Sequence, residues 1–421
     1  MKILTVGDMH LGRRPSRLPE QLSERAHELG PASAWKRTVD AALDNRVHAV
    51  LLAGDVVENE NDFFEAYRDL AGGVQRLTDD GIDVVGVAGN HDVKVLPRLA
   101  EQIPQFKLLG RDGVWEPWTL EDGGESLTLW GWSFPQAKVQ QSPLVNASFD
   151  RRDGLNLGLL HCDRDAGSSP YAPVSSQDME LSRLDGWLLG HIHKPDELTP
   201  QKPIGYLGSL TGLRRSETGA RGPWLIRIER GTLAEVTHLP LAPLRWERLK
   251  LDIEDIAEPD DAKSRLVDRL RDFDEHLDNM ASTPDAVGLD VHLTGRTRLG
   301  DAARSALTEE DLGYVHAGIG SRHYFIHRLT IGTRPEFELT QLAERENPLG
   351  LLAQRLIWLQ EPEGHPNRDQ LVVSAHKRLA KVANQAVWSG LSETPPDPLA
   401  CLIEAGYRAL DQLLTQAEDR E

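Results

Sequence analysis

The most informative stretch of the sequence is Val87-Ala88-Gly89-Asn90-His91-Asp92, in which an apolar run ends in a glycine and three polar residues. Val50-Leu51-Leu52-Ala53-Gly54-Asp55 has the same design, with one carboxylate after the glycine. Apolar runs without polar alternation are typical of strands that are buried on both faces of a sheet. In open α/β sheets, ligands bind just beyond the carboxyl ends of such strands. We therefore expect both stretches to bring their polar groups to one rim of a sheet.

The same design occurs at two further places, which are Ile3-Leu4-Thr5-Val6-Gly7-Asp8-Met9-His10 and Gly186-Trp187-Leu188-Leu189-Gly190-His191-Ile192-His193. A further apolar run, Leu155 to Leu160, ends directly at His161. Between the first three runs along the chain, apolar residues recur at helical spacing in two segments, about Pro31 to Asn45 and about Asp62 to Thr78. The order strand-helix-strand-helix-strand predicts a parallel α/β core.

Composition narrows the class of protein. The chain has 421 residues, which predicts two or three domains, and a net charge of −19, which argues against a protein that coats nucleic acid through its overall field. The net charge does not exclude a local basic patch. The two cysteines, Cys162 and Cys401, exclude a disulfide scaffold and indicate a reducing compartment. Because the sequence shows neither a signal-peptide pattern nor an apolar run of membrane-spanning length, we expect a cytoplasmic protein without a membrane partner.

Changes in the hydrophobic pattern divide the chain into three parts. Residues 1–240 contain the runs described above. Residues 243–335 alternate strand-like and helix-like segments, including a helix near Ala302 to Glu310, and predict a small α+β domain. Residues 336–421 have apolar residues at helical spacing after N-cap signals such as Asn347-Pro348, and predict a helical tail. The tail either packs on the protein's own surface or docks a partner, and the sequence leaves both open.

The polar residues at the ends of the predicted strands form a set that is typical of a metal centre. The candidate ligands are Asp8, His10, Asp55, Asn90, His161, His191 and His193. Carboxylates, imidazoles and an amide carbonyl suit divalent manganese, iron or zinc rather than a thiolate site. A carboxylate such as Asp55 is able to bridge two ions, and two ions clamp the attacking and leaving oxygens of a phosphoester. Any one of these histidines alone is more often structural, but the ordered set favours a metal site.

The blocks Asp8-x-His10, Gly54-Asp55, Gly89-Asn90-His91-Asp92, His161 and Gly190-His191-x-His193 resemble the full signature of the calcineurin-like metallophosphoesterases. The resemblance implies an α/β fold of two packed mixed sheets flanked by helices, with a two-metal site at the sheet rim. It implies that one ion is held by Asp8, His10, Asp55 and His193, and the other by Asp55, Asn90, His161 and His191. We expect manganese, with iron, zinc and magnesium as alternatives.

The same resemblance implies two catalytic residues that are not metal ligands. His91 would stabilise the transition state or protonate the leaving oxygen, and Asp92 would orient the ring of His91. Glu58 departs from the family pattern, in which a histidine or aspartate commonly follows the Gly-Asp motif in this loop. Catalytic help from this loop is therefore not implied.

Within the superfamily, the opening Asp8-x-His10-Leu11-Gly12, Ala34-Trp35 on the first predicted helix, and the order of the three parts resemble the SbcD-type DNA repair exonucleases. These are bacterial relatives of the meiotic-recombination-eleven nuclease. The resemblance implies a DNA exonuclease or endonuclease in double-strand-break repair, with residues 243–335 as a capping domain. It also implies that the tail docks an SMC-like coiled-coil ATPase subunit, and it leaves a homodimer open.

The substrate class depends on cationic side chains near the phosphate path. The candidates for DNA contact are Arg13, Arg14, Arg214 and Arg215, with further loop cations at Arg17, Arg151, Arg152, Lys202 and Arg221. Alternatively, these are solvated charges that balance an acidic surface.

Three functions compete. The first is a metal-dependent DNA nuclease with an ATPase partner. The second is a phosphodiesterase or phosphatase of nucleotides or other small phosphoesters, which the extra domain and the tail disfavour. The third is a weakly active scaffold subunit of an ATPase complex, which the intact ligand set disfavours.

Overall fold

The computed structural model describes residues 1–15, 18–299, 307, 321–383 and 397–418. The chain divides into two compact units. The first consists of Met1–Leu249, Leu266–Val291 and Thr308–Leu329, and the second of Lys250–Arg265, His292–Leu307 and Thr330–Glu421. Residues 243–335 thus contribute to both units, and the domain boundaries drawn from the sequence stay a prediction.

Two mixed sheets form the centre of the first unit. In chain order, their strands are β1 (Lys2–Val6), β2 (Ala49–Ala53), β3 (Asp83–Val87), β4 (Phe106–Leu108), β5 (Glu116–Asp122), β6 (Glu125–Trp132), β7 (Leu155–His161), β8 (Gly186–Gly190), β9 (Ile204–Tyr206), β10 (Trp224–Glu229) and β11 (Thr232–His238). One sheet has the order β11-β10-β1-β2-β3-β4 and the other the order β5-β6-β7-β8-β9. Strands β1 to β4 are parallel, as are β6 to β9, whereas β5, β10 and β11 pair in the antiparallel sense. The predicted pair of mixed sheets is confirmed.

The described helices of residues 1–240 include the two that the hydrophobic pattern predicts. They are α1 (Glu20–Ser23), α2 (Pro31–Asp44), α3 (Phe63–Asp79), α4 (Leu96–Gln102) and α5 (Ser176–Leu181). Helices α2 and α3 end within one residue of the predicted bounds. Their apolar faces, which include Trp35, Val39, Leu70 and Val74, are buried.

Strands β1, β2, β3 and β8 are largely apolar because both of their faces are covered, whereas β5 and β11 are partly exposed. All five residues of β2 are buried. Between the sheets lies a core that includes Leu51, Val85, Leu157 and Leu188, and each such side chain contributes about 1.5–3 kcal/mol on burial. Cys162 is buried in a cluster on the other face of the second sheet, as expected for a core residue.

Further along the chain lie β12 (Leu244–Asp252), α6 (Pro259–Asn279), β13 (Ala286–Thr294), β14 (Arg296–Thr297), β15 (His323–Ile331) and β16 (Arg334–Pro335). Strands β12, β13 and β15 form a three-stranded sheet in that order, and β14 pairs with β16. These elements agree with the predicted strands and first helix of this region. The predicted helix near Ala302 to Glu310 lies outside the described residues, apart from Leu307.

The described part of the tail is helical, as predicted, with α7 (Leu339–Ala343), α8 (Pro348–Gln360), α9 (Pro366–Ala383) and α10 (Pro398–Glu418). Oδ1 of Asn347 accepts a 3.0 Å hydrogen bond from the amide of Gly350, which caps α8. Leu356, Leu359 and Leu410 are buried in a core that the tail helices share. None of the described helices is long and apolar enough to cross a membrane.

Candidate active site

The predicted site residues follow directly on strands that end at one rim. Strands β1, β2 and β3 are parallel neighbours in one sheet, and β7 and β8 are parallel neighbours in the other. Four of the residues beyond these strands have positive φ angles, namely Asp8 (31°), His10 (54°), Asp55 (47°) and His191 (102°). Residues with a Cβ seldom adopt such angles, and strained positions of this kind cluster at functional sites. The backbone is therefore strained where it delivers these side chains.

Asp8, His10 and His193 bring their donor atoms together, and we call them the His10–His193 cluster. Nε2 of His10 lies 3.2 Å from Nε2 of His193. One ligand atom from each of the three residues lies within 4.8 Å of the others. Asp8 is fully buried, and its Oδ1 accepts a 2.9 Å hydrogen bond from the amide of His191. Burial raises the pKa of Asp8, although the neighbouring histidines oppose this rise.

Asp55, Asn90, His161 and His191 form a second group, which we call the Asn90 cluster. Oδ1 of Asn90 lies 3.1 Å from Nε2 of His161 and 3.1 Å from Nδ1 of His191. These two nitrogen atoms are 3.3 Å apart. Nε2 of His161 also lies 3.3 Å from Oδ2 of Asp55. Four donor atoms from four separate segments of the chain therefore surround one point.

Both clusters fit a divalent ion. Bonds of about 2.0–2.2 Å from nitrogen and oxygen ligands place neighbouring donors roughly 3 Å apart. The adjacent donors of the Asn90 cluster are 3.1–3.3 Å apart, and the two facing nitrogens of the His10–His193 cluster are 3.2 Å apart. The mixture of imidazole, carboxylate and amide oxygen suits manganese, iron or zinc. The donor sets thus agree with the ions that the sequence predicts.

Asp55 lies between the two clusters. Its Oδ2 is 3.3 Å from Nε2 of His161 and 3.9 Å from Nε2 of His10. Burial by itself would raise the pKa of Asp55, but the charge of His161 and its hydrogen bond outweigh burial and hold that pKa below its usual range. Conversely, burial would lower the pKa of His161, but Asp55 raises that pKa to about 9. The carboxylate is therefore held ionised, as a ligand that bridges two ions requires.

Two glycines of the motifs allow the backbone segments to approach one another. A Cβ on Gly89 would lie 2.2 Å from Oδ1 of Asp55, and a Cβ on Gly190 would lie 2.0 Å from the carbonyl oxygen of Ala53. Neither contact is sterically possible. These two glycines are needed because of close approach at the rim, not because of an unusual backbone angle.

Two carboxylates contact the ring nitrogens of His10 and His193 that point away from the His10–His193 cluster. The sequence analysis did not assign either of them. Oε2 of Glu58 lies 2.7 Å from Nδ1 of His10, and Oε1 of Glu217 lies 2.9 Å from Nδ1 of His193. A carboxylate in this position fixes the ring and leaves the other nitrogen for a metal. In the sequence Glu58 is visible only as a departure from the family pattern, and Glu217 is 24 residues from its histidine.

The Asn90 cluster has equivalent support. Oδ1 of Asp163 lies 3.3 Å from Nε2 of His191, and Nδ1 of His161 donates to the carbonyl oxygen of Ala53 at 3.1 Å. His191 therefore faces the cluster with Nδ1, whereas His161 faces it with Nε2. Residues two apart in an extended strand point to the same side, so the spacing of His191 and His193 suggests a shared cluster. However, β8 ends at Gly190 and His191 has a left-handed φ, and the two histidines therefore belong to different clusters.

His91 is exposed beside the His10–His193 cluster. The centroid of its ring is 5.1 Å from that of His10. Its Nδ1 donates a 3.0 Å hydrogen bond to the carbonyl oxygen of Glu58. Nε2 is consequently the ring atom that remains available for proton exchange with a substrate.

The predicted role of Asp92 as the group that orients His91 is wrong. Asp92 is fully buried, and its carboxylate accepts hydrogen bonds from the backbone amides of Val56 at 2.6 Å and Gly89 at 2.8 Å. These contacts join the loop after β2 to the loop after β3. Burial, reinforced by the negative charge of Asp55, raises the pKa of Asp92 to about 7. Asp92 therefore positions two ligand-bearing loops, while Glu58 holds the ring of His91.

We expect Asp92→Ala to lower the free energy of unfolding of the first unit by about 3 kcal/mol. The substitution leaves the buried amides of Val56 and Gly89 without an acceptor, and each unsatisfied donor costs roughly 1–3 kcal/mol. Urea unfolding followed by circular dichroism measures the loss. Asp83→Ala, at an exposed position on β3, is the matched control and should change stability little. A loss of less than about 1 kcal/mol for Asp92→Ala would contradict the role of Asp92 as a loop tie.

The four arginines predicted to contact DNA differ in their partners. Nη1 of Arg13 lies 3.4 Å from Oε2 of Glu58, and Nη2 of Arg14 lies 3.7 Å from Oε1 of Glu65. Arg214 is exposed and Arg215 is half-buried, and neither guanidinium has a hydrogen bond or ion pair within the part of the chain that the structure describes. Of the four arginines, Arg214 and Arg215 are therefore the two whose charges no described side chain neutralises.

Three of the other loop cations have structural partners, and one of them is Arg152, whose Nη1 donates to Oγ1 of Thr119 at 2.7 Å. Arg151 pairs with Asp185 at 2.9 Å, and Arg221 is buried. Arg17 lies outside the described residues. Arg151 and Arg221 are consequently poor candidates for contacting a substrate.

Comparison with known families identifies the class of the first part of the chain. Residues 1–195 match the family model described as calcineurin-like phosphoesterase. This stretch includes every predicted ligand from Asp8 to His193. The chain therefore contains a calcineurin-like metallophosphoesterase domain, which confirms the resemblance seen in the sequence and implies divalent metal ions.

Curated relatives are similar at low identity. The chain is 27% identical over 242 residues to the uncharacterized metallophosphoesterase YhaO of Bacillus subtilis, which covers 56% of this chain and 59% of that protein. It is 27% identical over 270 residues to the DNA double-strand break repair protein Mre11 of Aeropyrum pernix, covering 60% and 64%. It is 24% identical over 274 residues to Mre11 of Methanopyrus kandleri, covering 59% and 58%. The alignments thus span about six-tenths of the length of these relatives.

Solved structures with similarity include a dimetal phosphatase from Danio rerio, with a TM-score of 0.35, 12% identity, and coverage of 56% of this chain and 98% of that chain. Calcineurin-like phosphoesterase YfkN from Bacillus subtilis has a TM-score of 0.35, 15% identity, and coverage of 56% and 89%. The domain assignment rests on the family match and on the two mixed sheets.

Proposed function

We propose that this chain is a two-metal phosphodiesterase that cleaves DNA as a nuclease of double-strand-break repair. The observation that carries the proposal is the Asn90 cluster, whose donor atoms lie 3.1–3.3 Å from their neighbours. The His10–His193 cluster would hold a second ion, and Asp55 would be a ligand of both. Two divalent ions would polarise the phosphoester oxygens and acidify a water for attack.

The protein's own residues supply positioning and a proton. Glu58 and Glu217 direct the rings of His10 and His193 toward the first ion, because each holds the far ring nitrogen. His91 has its Nδ1 committed to the carbonyl oxygen of Glu58. A proton on its Nε2 would pass to the oxygen that leaves phosphorus, so His91 acts as the general acid.

Two observations support DNA as the substrate class. Arg214 and Arg215 lie three and two positions before Glu217 in the same turn, and their charges are not neutralised by an ion pair within the described residues. Uncommitted arginines next to a hydrolytic centre suit the phosphate backbone of a polynucleotide. In addition, several relatives at 23–27% identity carry the name DNA double-strand break repair protein Mre11.

The deciding experiment compares linear duplex DNA with a generic aryl phosphodiester in the presence of Mn²⁺. We expect both to be hydrolysed, and chelation should abolish both activities. Hydrolysis of the aryl ester without cleavage of DNA, even after a candidate ATPase partner is added, would replace the nuclease proposal by the small-phosphoester alternative. Repeating the assay with Zn²⁺, Fe²⁺ and Mg²⁺ tests the preference for manganese.

We expect the double variant Arg214→Ala/Arg215→Ala to weaken DNA binding by about tenfold at moderate salt, because two phosphate contacts are lost. Hydrolysis of the aryl phosphodiester should be unchanged, since that substrate is too small to need them. Fluorescence anisotropy with a labelled duplex measures binding. Arg230→Ala removes an exposed arginine from the β10–β11 turn and is the matched control. Equal losses in the double variant and in the control would indicate a general charge effect.

We further propose that the tail docks an SMC-like ATPase subunit. Leu351 on α8 and Val373 on α9 are 60% and 52% exposed, while neighbouring apolar residues form the shared core. Exposed apolar side chains on a folded helical bundle suit a partner's apolar surface.

We expect Leu351→Asp/Val373→Asp to abolish co-purification with the ATPase and to leave hydrolysis of the aryl ester intact. A charge at these exposed sites disrupts an apolar interface without entering the core of the tail. Leu181→Asp, at a 69% exposed position on α5, is the matched control. An unchanged complex in the double variant would favour a tail that packs only on the protein itself.

A further inference from the structure

The turn from Leu213 to Glu217 is closed by one of its own side chains. The amide of Glu217 donates to the carbonyl oxygen of Arg214 at 2.9 Å. Oε2 of Glu217 accepts from the amide of Leu213 at 3.0 Å and from Oγ of Ser209 at 3.3 Å. One carboxylate oxygen therefore holds the backbone of the turn that carries Arg214 and Arg215.

The second oxygen of the same carboxylate reaches the candidate metal centre. Oε1 of Glu217 lies 2.9 Å from Nδ1 of His193. The side chain of Glu217 is only 10% exposed, so water competes poorly for these contacts. A second link runs through the backbone, where the amide of Ser209 donates to the carbonyl oxygen of His193 at 2.9 Å. The arginine-bearing turn and His193 are thus held by one buried group.

We infer that Glu217 is a positioning residue that couples the order of the arginine-bearing turn to the state of His193. The coupling follows from the contacts of the two carboxylate oxygens, because Oε1 contacts His193 and Oε2 contacts the turn. The carboxyl group that the oxygens share fixes the two partners relative to each other. The part of the inference that concerns a bound ion rests on the proposed function. When His193 is held by an ion, Glu217 should hold the turn more firmly, and Arg214 and Arg215 should be better placed for a phosphate backbone.

Glu217→Gln tests this coupling with little change in shape. A carboxylate has two accepting oxygens, whereas an amide has one oxygen and a nitrogen that only donates. The glutamine is therefore unable to accept from the ring of His193 and from the amide of Leu213 through opposite ends of the side chain. Either one of the two contacts is lost, or His193 carries its ring proton on Nε2 and Nδ1 accepts from the amide nitrogen. In both cases the charge-assisted hydrogen bonds of the carboxylate are replaced by weaker neutral ones.

Limited trypsin digestion reads the order of the turn directly, because trypsin cleaves after Arg214 and Arg215. Cleavage in a folded protein follows the population of locally opened turn when opening is fast. Without metal, we expect cleavage at these two bonds to be about tenfold faster in Glu217→Gln than in the unaltered protein, in line with the loss of one charged hydrogen bond. Mn²⁺ should slow this cleavage in the unaltered protein by at least threefold and have no such effect in Glu217→Gln.

Two controls separate the coupling from general loosening. Glu58→Gln weakens the support of His10 in the same cluster but touches no residue of the turn, so its metal-free cleavage should equal that of the unaltered protein. Cleavage after Arg230, in the β10–β11 turn, reports on the rest of the fold and should be unchanged. If Glu217→Gln also accelerates cleavage after Arg230, Ser209→Ala is the deciding variant. It removes the hydroxyl contacts to Oε2 of Glu217 at 3.3 Å and to the carbonyl oxygen of His193 at 3.5 Å, and it leaves the carboxylate in place. Faster cleavage confined to the arginine-bearing turn in Ser209→Ala would then support the inference.

Equal metal-free cleavage of Glu217→Gln and the unaltered protein would overturn the coupling. If Glu217→Gln loosens the whole fold, unchanged cleavage of the arginine-bearing turn in Ser209→Ala would also overturn the coupling. Protection of Glu217→Gln by Mn²⁺ to the same degree as the unaltered protein would overturn it as well. Failure of the proposed function looks different. In that case calorimetry detects no binding of Mn²⁺ to the unaltered protein, while the metal-free difference between Glu217→Gln and Glu58→Gln remains.

Discussion

His91→Ala is expected to lower phosphodiester turnover by about a thousandfold and to leave two metal ions per chain. General acid catalysis by a positioned side chain contributes roughly 10²–10⁴ in rate. His91 lies outside both donor clusters, with Nδ1 bound to the carbonyl oxygen of Glu58, so its removal takes away a proton donor but no predicted ligand. Steady-state cleavage of linear duplex DNA, in which the leaving oxygen is an alkoxide that needs a proton, gives the rate, and elemental analysis gives the metal content.

Lys94→Ala is the control for this experiment. Lys94 follows the same motif, and its ion pair to Glu60 is exposed. We expect nearly normal turnover for this variant. Loss of metal from His91→Ala would show that the histidine is a ligand, and retention of most of the activity would remove it from the catalytic machinery. A substrate with a good leaving group should depend less on His91, because such an oxygen needs no proton.

Asp55→Asn is expected to lower turnover by at least a thousandfold and to leave fewer than two ions per chain. Asparagine has nearly the same shape as aspartate, tolerates the left-handed φ of 47° at this position, and is able to accept the hydrogen bond from the amide of His91. Only the negative charge and one accepting oxygen are lost. Because that oxygen lies between the two clusters, binding of both ions should weaken. Isothermal titration with Mn²⁺ measures each affinity.

Asp163→Asn provides a graded comparison for Asp55→Asn. Asp163 supports His191 through the far ring nitrogen at 3.3 Å, and supporting groups of this kind typically contribute 10–100-fold in metal affinity. We therefore expect a weaker effect than for Asp55→Asn, limited to one ion. Equal effects of the two substitutions, or a fully loaded Asp55→Asn protein, would argue against a bridging role for Asp55.

The fold was predictable because its evidence is local. Strands β1, β2 and β3 are apolar on both faces, and α2 and α3 have apolar residues at helical spacing, so each element is recognisable without its neighbours. The antiparallel pairing of β10 with β1 and the tie between loops at Asp92 depend on partners far along the chain. Periodicity carries no information about such partners.

The candidate ligands were predictable for the same reason, since each follows directly on a recognisable strand. Their supports were not. Glu217 is 24 residues from His193, and the carbonyl oxygen that holds His91 belongs to Glu58, 33 residues away. The resemblance implied that Asp92 orients the ring of His91, but the side chain of Asp92 is turned to the amides of Val56 and Gly89.

The sequence by itself determined which groups are presented, because apolar strands that end in glycine and a polar residue place those groups at a sheet rim. The strand pattern alone does not divide these groups between two clusters, and only the tertiary structure shows what divides them. His191 and His193 are two residues apart, yet the left-handed backbone at His191 sends them to different clusters. Likewise, which carboxylate holds which imidazole is set by contacts between distant segments. Hydrogen bonds act over about 3 Å in space, and distance along the chain does not constrain them.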